Sequence, residues 1–404
     1  MPVDPGLIKD VMVKDFHCFN DRGFYCNEKH DPLSAHLLNL NGDKWKKMRS
    51  KLTSAFTPLK VKSMFDTVLA CTTQLLSGLE EYASGKMVFD ADEVMARFTT
   101  DVISSCAFGF KSNWELKKYG DEIMRPPMIK IMLLVLAEMN QNLAKRLGVT
   151  RTTANARSFF LNVINRTIEH REKVGATRKD FLQILLDLKN EGQSLTTREI
   201  TAQALLFFVA GFETSASTLT FCLYELAKHP AIQKRLREEI KNVLNTHTHV
   251  CYEAVAEMTY LNQVIEETLR KYPPAGVVAR RCLDDYQVPE SNLIIKRGTK
   301  VVISIQGLHH DPKYFPQPDV FDPERFNDRN RKTIKPYTYL PFGEGPRNCI
   351  GAKFGVMQTK IGLVTMLDKF TFSLNAKTPD VLKGYYGTIS LTVPKTVWLE
   401  VQNL

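Results

Sequence analysis

A single cysteine, Cys349, stands between a glycine-rich turn and the start of a predicted helix, in the segment of residues 341–351. Gly343 and Gly345 allow positive φ angles and close backbone contact within this turn. The helix that follows offers free backbone N–H groups and the positive end of its dipole. These features favour the thiolate, the form of cysteine that binds metals and attacks electrophiles.

Three ordinary roles remain open for this cysteine: a buried structural residue, a catalytic thiol or a zinc ligand. Zinc requires further Cys or His ligands at short spacing, and none lies near Cys349. A catalytic thiol requires a partner histidine, which the sequence alone does not exclude. Arg347, two residues earlier, is a fixed cation that could pair with an anionic group bound at the sulfur.

The pattern Phe-Gly-x-Gly-x-Arg-x-Cys-x-Gly, which begins at Phe342 and ends at Gly351, resembles the haem-thiolate loop of the cytochromes P-450. By this resemblance Cys349 is the axial thiolate ligand of haem b, and it favours cleavage of the O–O bond. Phe342, Arg347 and Gly351 are then cofactor-binding residues. Backbone N–H groups after the cysteine would moderate its thiolate.

A long helix is predicted over residues 196–228, because Thr196 and Glu199 form a capping box at its start. Its middle is apolar on every side, which predicts a course through the core. Gly211 leaves space beside it, and Glu213 is a carboxylate that is costly to bury without a use or a partner. These features alone also fit a structural kink with an ion-paired glutamate.

The segment Ala-Gly-Phe-Glu-Thr, which ends at Thr214, resembles the oxygen-activating signature of the same family. The Thr214 hydroxyl can bond back to a carbonyl of its own helix and loosen the local turn. The resemblance implies that Glu213 and Thr214 relay protons to dioxygen.

Glu267 and Arg270 stand three residues apart on a helix predicted over residues 259–271, so they can pair on one face. Such pairs also arise by chance in charged helices. Together with the downstream segment Phe-Asp-Pro-Glu-Arg-Phe, which contains Arg325, they resemble the E-x-x-R and P-E-R-F elements of the family. The resemblance implies a buried Glu–Arg–Arg network that fixes the loop carrying Cys349.

Trp45 and Arg49 are four residues apart and share one face of a predicted helix. Alone, they indicate a solvated helix with a half-buried tryptophan. Beside a haem loop they become candidate donors to the haem propionates, because indole and guanidinium N–H groups both donate to carboxylates. Arg280, which matches an arginine after the E-x-x-R helix of relatives, and Arg347 join this set.

The chain has 404 residues, of which 44% are hydrophobic and 24% charged, as in globular proteins and unlike disordered ones. Eight scattered cysteines indicate reduced thiols in a reducing compartment. The formal charge of +10 comes without a nucleic-acid recognition motif, so an acidic protein partner or an anionic membrane surface fits better. No apolar run is long enough to span a membrane; residues 204–212 come nearest.

The remaining pattern predicts a mainly α-helical fold with a small β portion. Helical periodicity marks residues 60–81, 92–108, 154–173, 179–189 and 230–244. Strands are predicted at residues 277–282, 300–304 and 387–393. Residues 114–147 are rich in methionine and interrupted by Pro126 and Pro127, and such a stripe is more often core than surface. Without a linker in the chain, a single domain over residues 1–404 is expected.

The four signatures occur in the family's order, and the likeness covers essentially the whole chain. In its general sequence the chain most resembles microsomal members and, among them, the insect detoxification branch. It implies a cytochrome P-450 fold in which the long helix crosses the haem. The implied function is a monooxygenase that inserts one oxygen atom from O2 into lipophilic substrates such as xenobiotics, plant compounds or insecticides. Such family members carry a membrane anchor, a first helix and first strands before the point where this chain begins, so a truncated chain is expected.

The resemblance also implies electrons from an NADPH–cytochrome P-450 reductase, with cytochrome b5 as a further partner. A basic face formed by residues 44–51 and Arg347 is the expected docking surface. The implied location is the cytoplasmic face of the endoplasmic reticulum membrane.

Alternative functions are an endogenous lipid or steroid-hormone hydroxylase, a haem-thiolate isomerase or dehydratase, and an inactive haem-binding remnant. The Glu213–Thr214 pair speaks against the isomerase, which needs no proton relay to dioxygen. The substrate pocket is expected to be lined by apolar to mixed segments: residues 23–40, the region around Met128, and residues 275–279 and 384–389.

Overall fold

The computed structural model describes residues 1–110, 114–124, 126–174, 178, 180–190, 195–380, 382, 385–386, 391–392 and 397–404. The helices are α1 (Pro5–Lys9), α2 (Gly42–Thr53), α3 (Pro58–Lys62), α4 (Phe65–Ser84), α5 (Ala91–Phe108), α6 (Trp114–Met124), α7 (Met128–Met139), α8 (Gln141–Arg146), α9 (Ala154–Val174), α10 (Phe181–Asn190), α11 (Thr197–Lys228), α12 (Pro230–His247), α13 (Tyr252–Glu257), α14 (Thr259–Lys271), α15 (Ile305–His309) and α16 (Ala352–Lys369). The strands are β1 (Val88–Asp90), β2 (Val277–Arg281), β3 (Tyr286–Gln287), β4 (Ile294–Ile295), β5 (Lys300–Ser304), β6 (Phe370–Leu374), β7 (Tyr385–Tyr386), β8 (Leu391–Thr392) and β9 (Trp398–Asn403). A π-helical turn covers Asp10–Lys14, and 3-10 turns cover Phe16–Cys18, Pro32–Ser34, Ser54–Phe56, Pro323–Phe326 and Asn330–Thr333.

The start of α11 follows the capping chemistry that its sequence predicts. Thr196 caps α11: its hydroxyl accepts from the Glu199 N–H at 3.2 Å, and the Glu199 carboxylate accepts from the Thr196 N–H at 2.8 Å. This is the predicted capping box. Helix α14 has the predicted bounds, and α5, α9 and α12 begin within a residue of their predicted starts.

The predicted helix over residues 60–81 is instead two helices, α3 and α4. Ser63 ends α3, and its hydroxyl donates to the Lys60 carbonyl at 2.7 Å. This local bond competes with continued helix formation. Thr57 starts α3 separately by accepting from the Lys60 N–H with its hydroxyl. The break therefore coincides with side-chain bonds at Thr57 and Ser63, which hydrophobic periodicity does not register.

The main hydrophobic core surrounds α11, which packs most extensively on α5. Among the described residues α11 also meets the length and hydropathy expected of a membrane span, which corrects the prediction that no segment is long enough. However, 72% of its apolar window is buried in the protein, as expected of a core helix. The methionines of α7 lie on the surface rather than in the core, contrary to the sequence expectation.

The sheets are small, as predicted. Strand β9 lies between β1 and β6, and both pairings are antiparallel. Strands β2 and β5 pair antiparallel, with Val277 opposite Ser304, and both were predicted as strands. An isolated antiparallel bridge joins Asp21 to Arg281 at the end of β2, where the Arg281 N–H donates to the Asp21 carbonyl at 2.7 Å. The predicted strand over residues 387–393 lies mostly outside the described residues.

Candidate active site

The cysteine loop is a tight turn that the glycines make possible. The Cys349 N–H donates to the Phe342 carbonyl at 2.8 Å and closes the turn. Gly343 and Gly345 have φ angles of +68° and +73°, the left-handed region that favours glycine. A Cβ atom at Gly345 would lie 2.1 Å from the Met12 carbonyl oxygen. Both the predicted positive φ and the predicted close backbone contact are therefore present.

The Cys349 side chain is exposed and lies within electrostatic reach of Arg22 and Arg49. The packed surroundings raise the pKa of the Cys349 thiol. The Gly351 backbone N–H and the two guanidinium groups act in the opposite direction, because each favours the thiolate. Groups that stabilise a thiolate are thus already placed near this sulfur.

Arg347 is only 2% exposed and is held by backbone carbonyls. Its Nε donates to the Asn20 carbonyl at 2.6 Å and its Nη2 to the Leu40 carbonyl at 2.8 Å. The guanidinium carbon lies 4.2 Å from the ring centre of Trp45, which is buried. Burial excludes Arg347 from any docking face, so that part of the prediction is wrong.

Arg22, Arg280 and Arg347, which we call the arginine cluster, lie close together with no carboxylate of the described residues within 4.0 Å. Burial lowers the pKa of Arg22 to about 10 and of Arg280 and Arg347 to about 9. Repulsion from Arg22 lowers the pKa of Arg280 and Arg347 further, and repulsion from Arg49 acts on Arg22. Within the described part of the chain, Arg22 Nε, Arg280 Nε and Arg347 Nη1 are buried without hydrogen-bond partners. Buried guanidinium groups require anions, and carboxylates match their fork geometry.

Arg22 was missed by the sequence analysis, because it belongs to no recognised motif. The bridge between Asp21 and Arg281 brings it beside Arg280 from the far end of the chain. Its Nη2 donates to the Arg347 carbonyl at 2.8 Å. No local signal marks Arg22, because its neighbours depend on the bridge between Asp21 and Arg281, which are far apart in the chain.

Arg49 reaches the cysteine loop directly. Its Nη1 donates to the Asn348 carbonyl at 2.9 Å, and its Nη2 donates to the Asn348 side-chain oxygen at 2.7 Å. Arg49 thereby holds the residue that precedes Cys349. Arg49 and Trp45 come from one face of α2, as their spacing predicted.

Glu267, Arg270 and Arg325 form a second buried group, which we call the paired cluster. Arg270 Nε and Nη2 donate to the Glu267 carboxylate at 2.7 and 2.9 Å. Arg325 Nε lies 3.4 Å from Glu267 Oε1, and the Asp322 N–H donates to the same oxygen at 3.0 Å. Burial raises the pKa of Glu267, while Arg270 and then Arg325 oppose that rise.

A histidine connects the paired cluster to the cysteine loop. Arg270 Nη1 donates to the His309 carbonyl at 2.9 Å, and the Leu340 N–H donates to His309 Nε2 at 2.8 Å. The ring therefore carries its proton on Nδ1, which faces the Arg270 carbonyl at 3.2 Å. Burial, with Arg270 nearby, lowers the pKa of His309 to about 3, so the ring is neutral. Leu340 immediately precedes the loop that contains Cys349.

Glu213 and Thr214 lie at the middle of α11. Glu213 is buried, and the Thr214 hydroxyl donates to the Ala210 carbonyl at 2.7 Å, as expected. A Cβ atom at Gly211 would lie 2.3 Å from Ile103 Cδ1. The space left by this glycine therefore admits the neighbouring helix α5.

Gln358, on α16, joins this part of α11 to the helix that follows the cysteine loop. Its side-chain nitrogen donates to the Gly211 carbonyl at 3.2 Å and also contacts the Ser215 hydroxyl. These contacts bracket Glu213 and Thr214 on α11. A buried glutamine in an apolar helix is the signal that could have identified this residue.

The segments expected to line a substrate pocket are only partly tested. Residues 23–40 are tied to residues 149–152: Tyr25 donates its hydroxyl to the Val149 carbonyl at 2.8 Å, and Asp31 accepts from the Thr152 N–H at 2.9 Å. Residues 275–279 lead into β2, and the region around Met128 forms exposed α7. Residues 384–389 lie mostly outside the described residues.

A mainly α-helical fold, an exposed cysteine in a glycine turn and buried arginines that need anions fit a haem-thiolate protein. The family model described as Cytochrome P450 matches residues 2–397. The chain is 39% identical to "Probable cytochrome P450 6a13" of Drosophila melanogaster, over 100% of this chain and 83% of that protein. It is 38% identical to "Cytochrome P450 6A1" of Musca domestica, over 100% and 82%. It is 40% identical to "Cytochrome P450 6k1" of Blattella germanica, over 93% and 77%.

The chain belongs to the cytochrome P450 family. It is therefore an oxidoreductase, a monooxygenase that uses haem b with a cysteine thiolate ligand and NADPH-derived electrons delivered by a reductase. Its substrates are lipophilic. The predicted fold class, family and resemblance to insect members are confirmed.

Proposed function

We propose that Cys349 is the cysteine that binds the haem iron and that the arginine cluster binds the haem carboxylates. Haem bound there supplies the chemistry of oxygen activation. The observation that carries this proposal is the set of buried arginine nitrogens without partners next to the cysteine loop. Carboxylates would satisfy these nitrogens and neutralise the cluster.

Four further residues support this arrangement. Trp45 stacks on Arg347, and Arg49 holds Asn348 beside the cysteine. The Phe342 carbonyl closes the turn, and the Gly351 backbone N–H favours the Cys349 thiolate. These contacts fix both the sulfur and the charges around it.

The test of Cys349 is spectroscopic, because a thiolate ligand red-shifts the Soret band of the reduced carbon monoxide complex. Cys349→Ala should abolish the red-shifted band, whereas Cys71→Ala, a half-buried cysteine on α4, should retain it. A red-shifted band in Cys349→Ala would show that another residue is the ligand.

Glu213 and Thr214 are proposed to supply protons to the oxygen being reduced. The Glu213 carboxylate is buried on α11. The next residue, Thr214, donates its hydroxyl hydrogen bond to the Ala210 carbonyl. A positioned carboxyl and hydroxyl can pass a proton between them or through one water. Gln358 fixes this turn relative to α16.

Thr214→Ala tests the relay, because alanine preserves the helix and removes only the hydroxyl. Oxygen and NADPH should still be consumed, while more peroxide forms and product per NADPH falls by about tenfold or more. Thr220→Ala is the matched control, since the Thr220 hydroxyl also bonds back to its own helix, at 2.9 Å from the Ala216 carbonyl. Wild-type coupling in Thr214→Ala would refute the relay.

The lipophilic substrates are proposed to be foreign compounds such as plant compounds or insecticides. Support comes from similarity to insect members of the family over nearly the whole chain. Comparable oxidation of structurally unrelated lipophilic compounds would support this proposal. A preference of about a hundredfold for one endogenous lipid or steroid would contradict it.

The reductase and cytochrome b5 are proposed to dock on two exposed lysines of α2, Lys46 and Lys47. Lys44, on the same helix, is already paired with Glu28 at 2.8 Å. Lys46→Glu combined with Lys47→Glu should raise the apparent KM for reductase, most strongly at low salt, because salt screens exposed charges. An unchanged KM at every salt concentration would place docking elsewhere.

Membrane association, at the cytoplasmic face of the endoplasmic reticulum, is proposed to involve α7. Met128, Met132 and Met139 are 70%, 57% and 78% exposed, and leucine and isoleucine side chains of the same helix are exposed beside them. An exposed apolar patch of this kind is typical of a membrane or protein contact. Met132→Asp should reduce binding to phospholipid vesicles, and unchanged binding would contradict the assignment.

A further inference from the structure

A cavity of about 310 Å³ lies between α3, the start of α4, helix α13 and the first half of α16. This volume is within the range of small-molecule sites. Most of its wall is apolar and includes Pro58, Val61, Phe65, Val255, Val356 and Met357. Two cations, Lys353 and Lys360, also line it.

Lys360 is buried, which is unusual for a lysine. Its ammonium donates to the Val255 carbonyl at 3.3 Å, and no carboxylate of the described residues lies within 4.0 Å of it. An ammonium has three protons to donate, so this single long bond leaves it poorly satisfied. Burial accordingly lowers the pKa of Lys360, opposed only by the more distant carboxylates of Glu239 and Glu266.

The acidic group at the edge of the cavity is already engaged. Glu253 forms an ion pair with Lys62, whose ammonium also lies 5.0 Å from the ring centre of Tyr252. Glu253 therefore does not compensate Lys360. Lys353 is exposed and adds positive potential at the opening rather than inside. The cavity thus combines an apolar wall with one buried cation that lacks an anion.

We propose that this cavity binds an amphipathic carboxylate, of the class of medium-chain fatty acids. The carboxylate would pair with Lys360, and the alkyl chain would lie against Val61, Phe65 and Met357. A neutral lipophilic molecule would leave the buried ammonium uncompensated, and a cation would be repelled. The apolar wall favours a free acid over a side chain of a protein partner, because it offers more contact to an alkyl chain than a short acidic side chain can use.

Decanoate and decanol are the matched probes, because they share a chain length and differ in charge. A decanoate with a photoreactive diazirine at its chain end locates the site in the holoenzyme by mass spectrometry of labelled peptides. Labels are expected in residues 58–65 and 352–360, which contact the alkyl chain, and unlabelled decanoate should compete with them. Labelling confined to other peptides would overturn the proposal. The haem spectrum distinguishes this cavity from the substrate site, because decanoate bound in the cavity should leave the Soret band unchanged.

Variants test the ion pair. Lys360→Met keeps the side-chain length and removes the charge, so the Kd for decanoate should rise by about tenfold or more, while that for decanol is unchanged. Lys353→Met, the exposed control, should change the decanoate Kd by less than about threefold. Val356→Trp, which fills the cavity, should weaken both probes. Equal decanoate binding by wild type and Lys360→Met would overturn the proposal, as would loss of reductase binding in Lys360→Met without any decanoate labelling.

Discussion

The paired cluster and the arginine cluster both bury arginines beside the cysteine loop, yet only the paired cluster contains a carboxylate. In the paired cluster, Glu267 neutralises Arg270, and backbone carbonyls accept most of the remaining guanidinium protons. Arg325 Nε of the paired cluster has no hydrogen-bond partner among the described residues, but it lies 3.4 Å from Glu267 Oε1. In the arginine cluster, buried nitrogens of the described residues lack hydrogen-bond partners and also lack a carboxylate within ion-pair distance. This difference agrees with our proposal that the arginine cluster binds the haem carboxylates, whereas the chain itself supplies the anion of the paired cluster.

Breaking the paired cluster should have the largest effect on folding. Glu267→Gln leaves the buried Arg270 and Arg325 without an anion, which should lower the free energy of unfolding of the apoprotein by about 3–5 kcal/mol. Denaturant unfolding measures this change. Glu266→Gln is the matched control, because Glu266 pairs with Arg331 near the surface and should cost less than about 1 kcal/mol. Equal losses in the two variants would remove the distinction between the clusters.

The arginine cluster should respond in the opposite direction. Arg280→Met removes a buried cation that has no anion, so the apoprotein should be as stable as wild type or more stable by about 1–3 kcal/mol. Haem should dissociate faster from the variant, which transfer of haem to apomyoglobin measures. Haem dimethyl ester, which lacks free carboxylates, should bind wild type and variant equally. A destabilised apoprotein with unchanged haem release would assign Arg280 to structure.

A third buried group, around Glu225, is also paired by side chains of the chain itself. It offers a pH-dependent test with a smaller expected effect on stability. Glu225 is buried and accepts from Lys271 at 2.8 Å and from the Tyr272 hydroxyl at 2.5 Å, while His229 Nδ1 lies 3.3 Å from its other oxygen. The Glu225 carboxylate, together with the Glu225 backbone carbonyl 2.9 Å from Nδ1, raises the pKa of His229. Its stabilising contribution is therefore complete below the unfolded value of about 6.5 and is lost as pH rises through the folded value.

The difference in Tm between wild type and His229→Gln, measured from pH 5 to pH 9, should be largest at acid pH and shrink towards alkaline pH. The effect should be modest, because the His229 side chain is partly exposed and solvent screens the pair. A difference that does not vary with pH would show that the charge of His229 contributes nothing to this cluster.

Several predictions from local sequence agree with the structure because their causes are local. The capping box of Thr196 and Glu199, the bounds of α14 and the positive φ angles of Gly343 and Gly345 each depend on residues within a few positions. The helix break at Ser63 was missed although it is also local, because hydrophobic periodicity does not register the side-chain bonds at Thr57 and Ser63. Arg347 shows the limit: its residue type suggested a docking cation, and packing buried it.

The sequence by itself determined the mainly helical class, the cysteine turn, the spacing of Glu267 and Arg270, and through its motifs the family. Only the tertiary structure decided which polar side chains meet. It places Arg22 beside Arg280, His309 between Arg270 and Leu340, and Gln358 against α11. Helix caps and turns depend on bonds between near neighbours, which a short stretch of sequence specifies. Contacts between residues far apart in the chain depend on how every intervening element packs, and no short stretch contains that information.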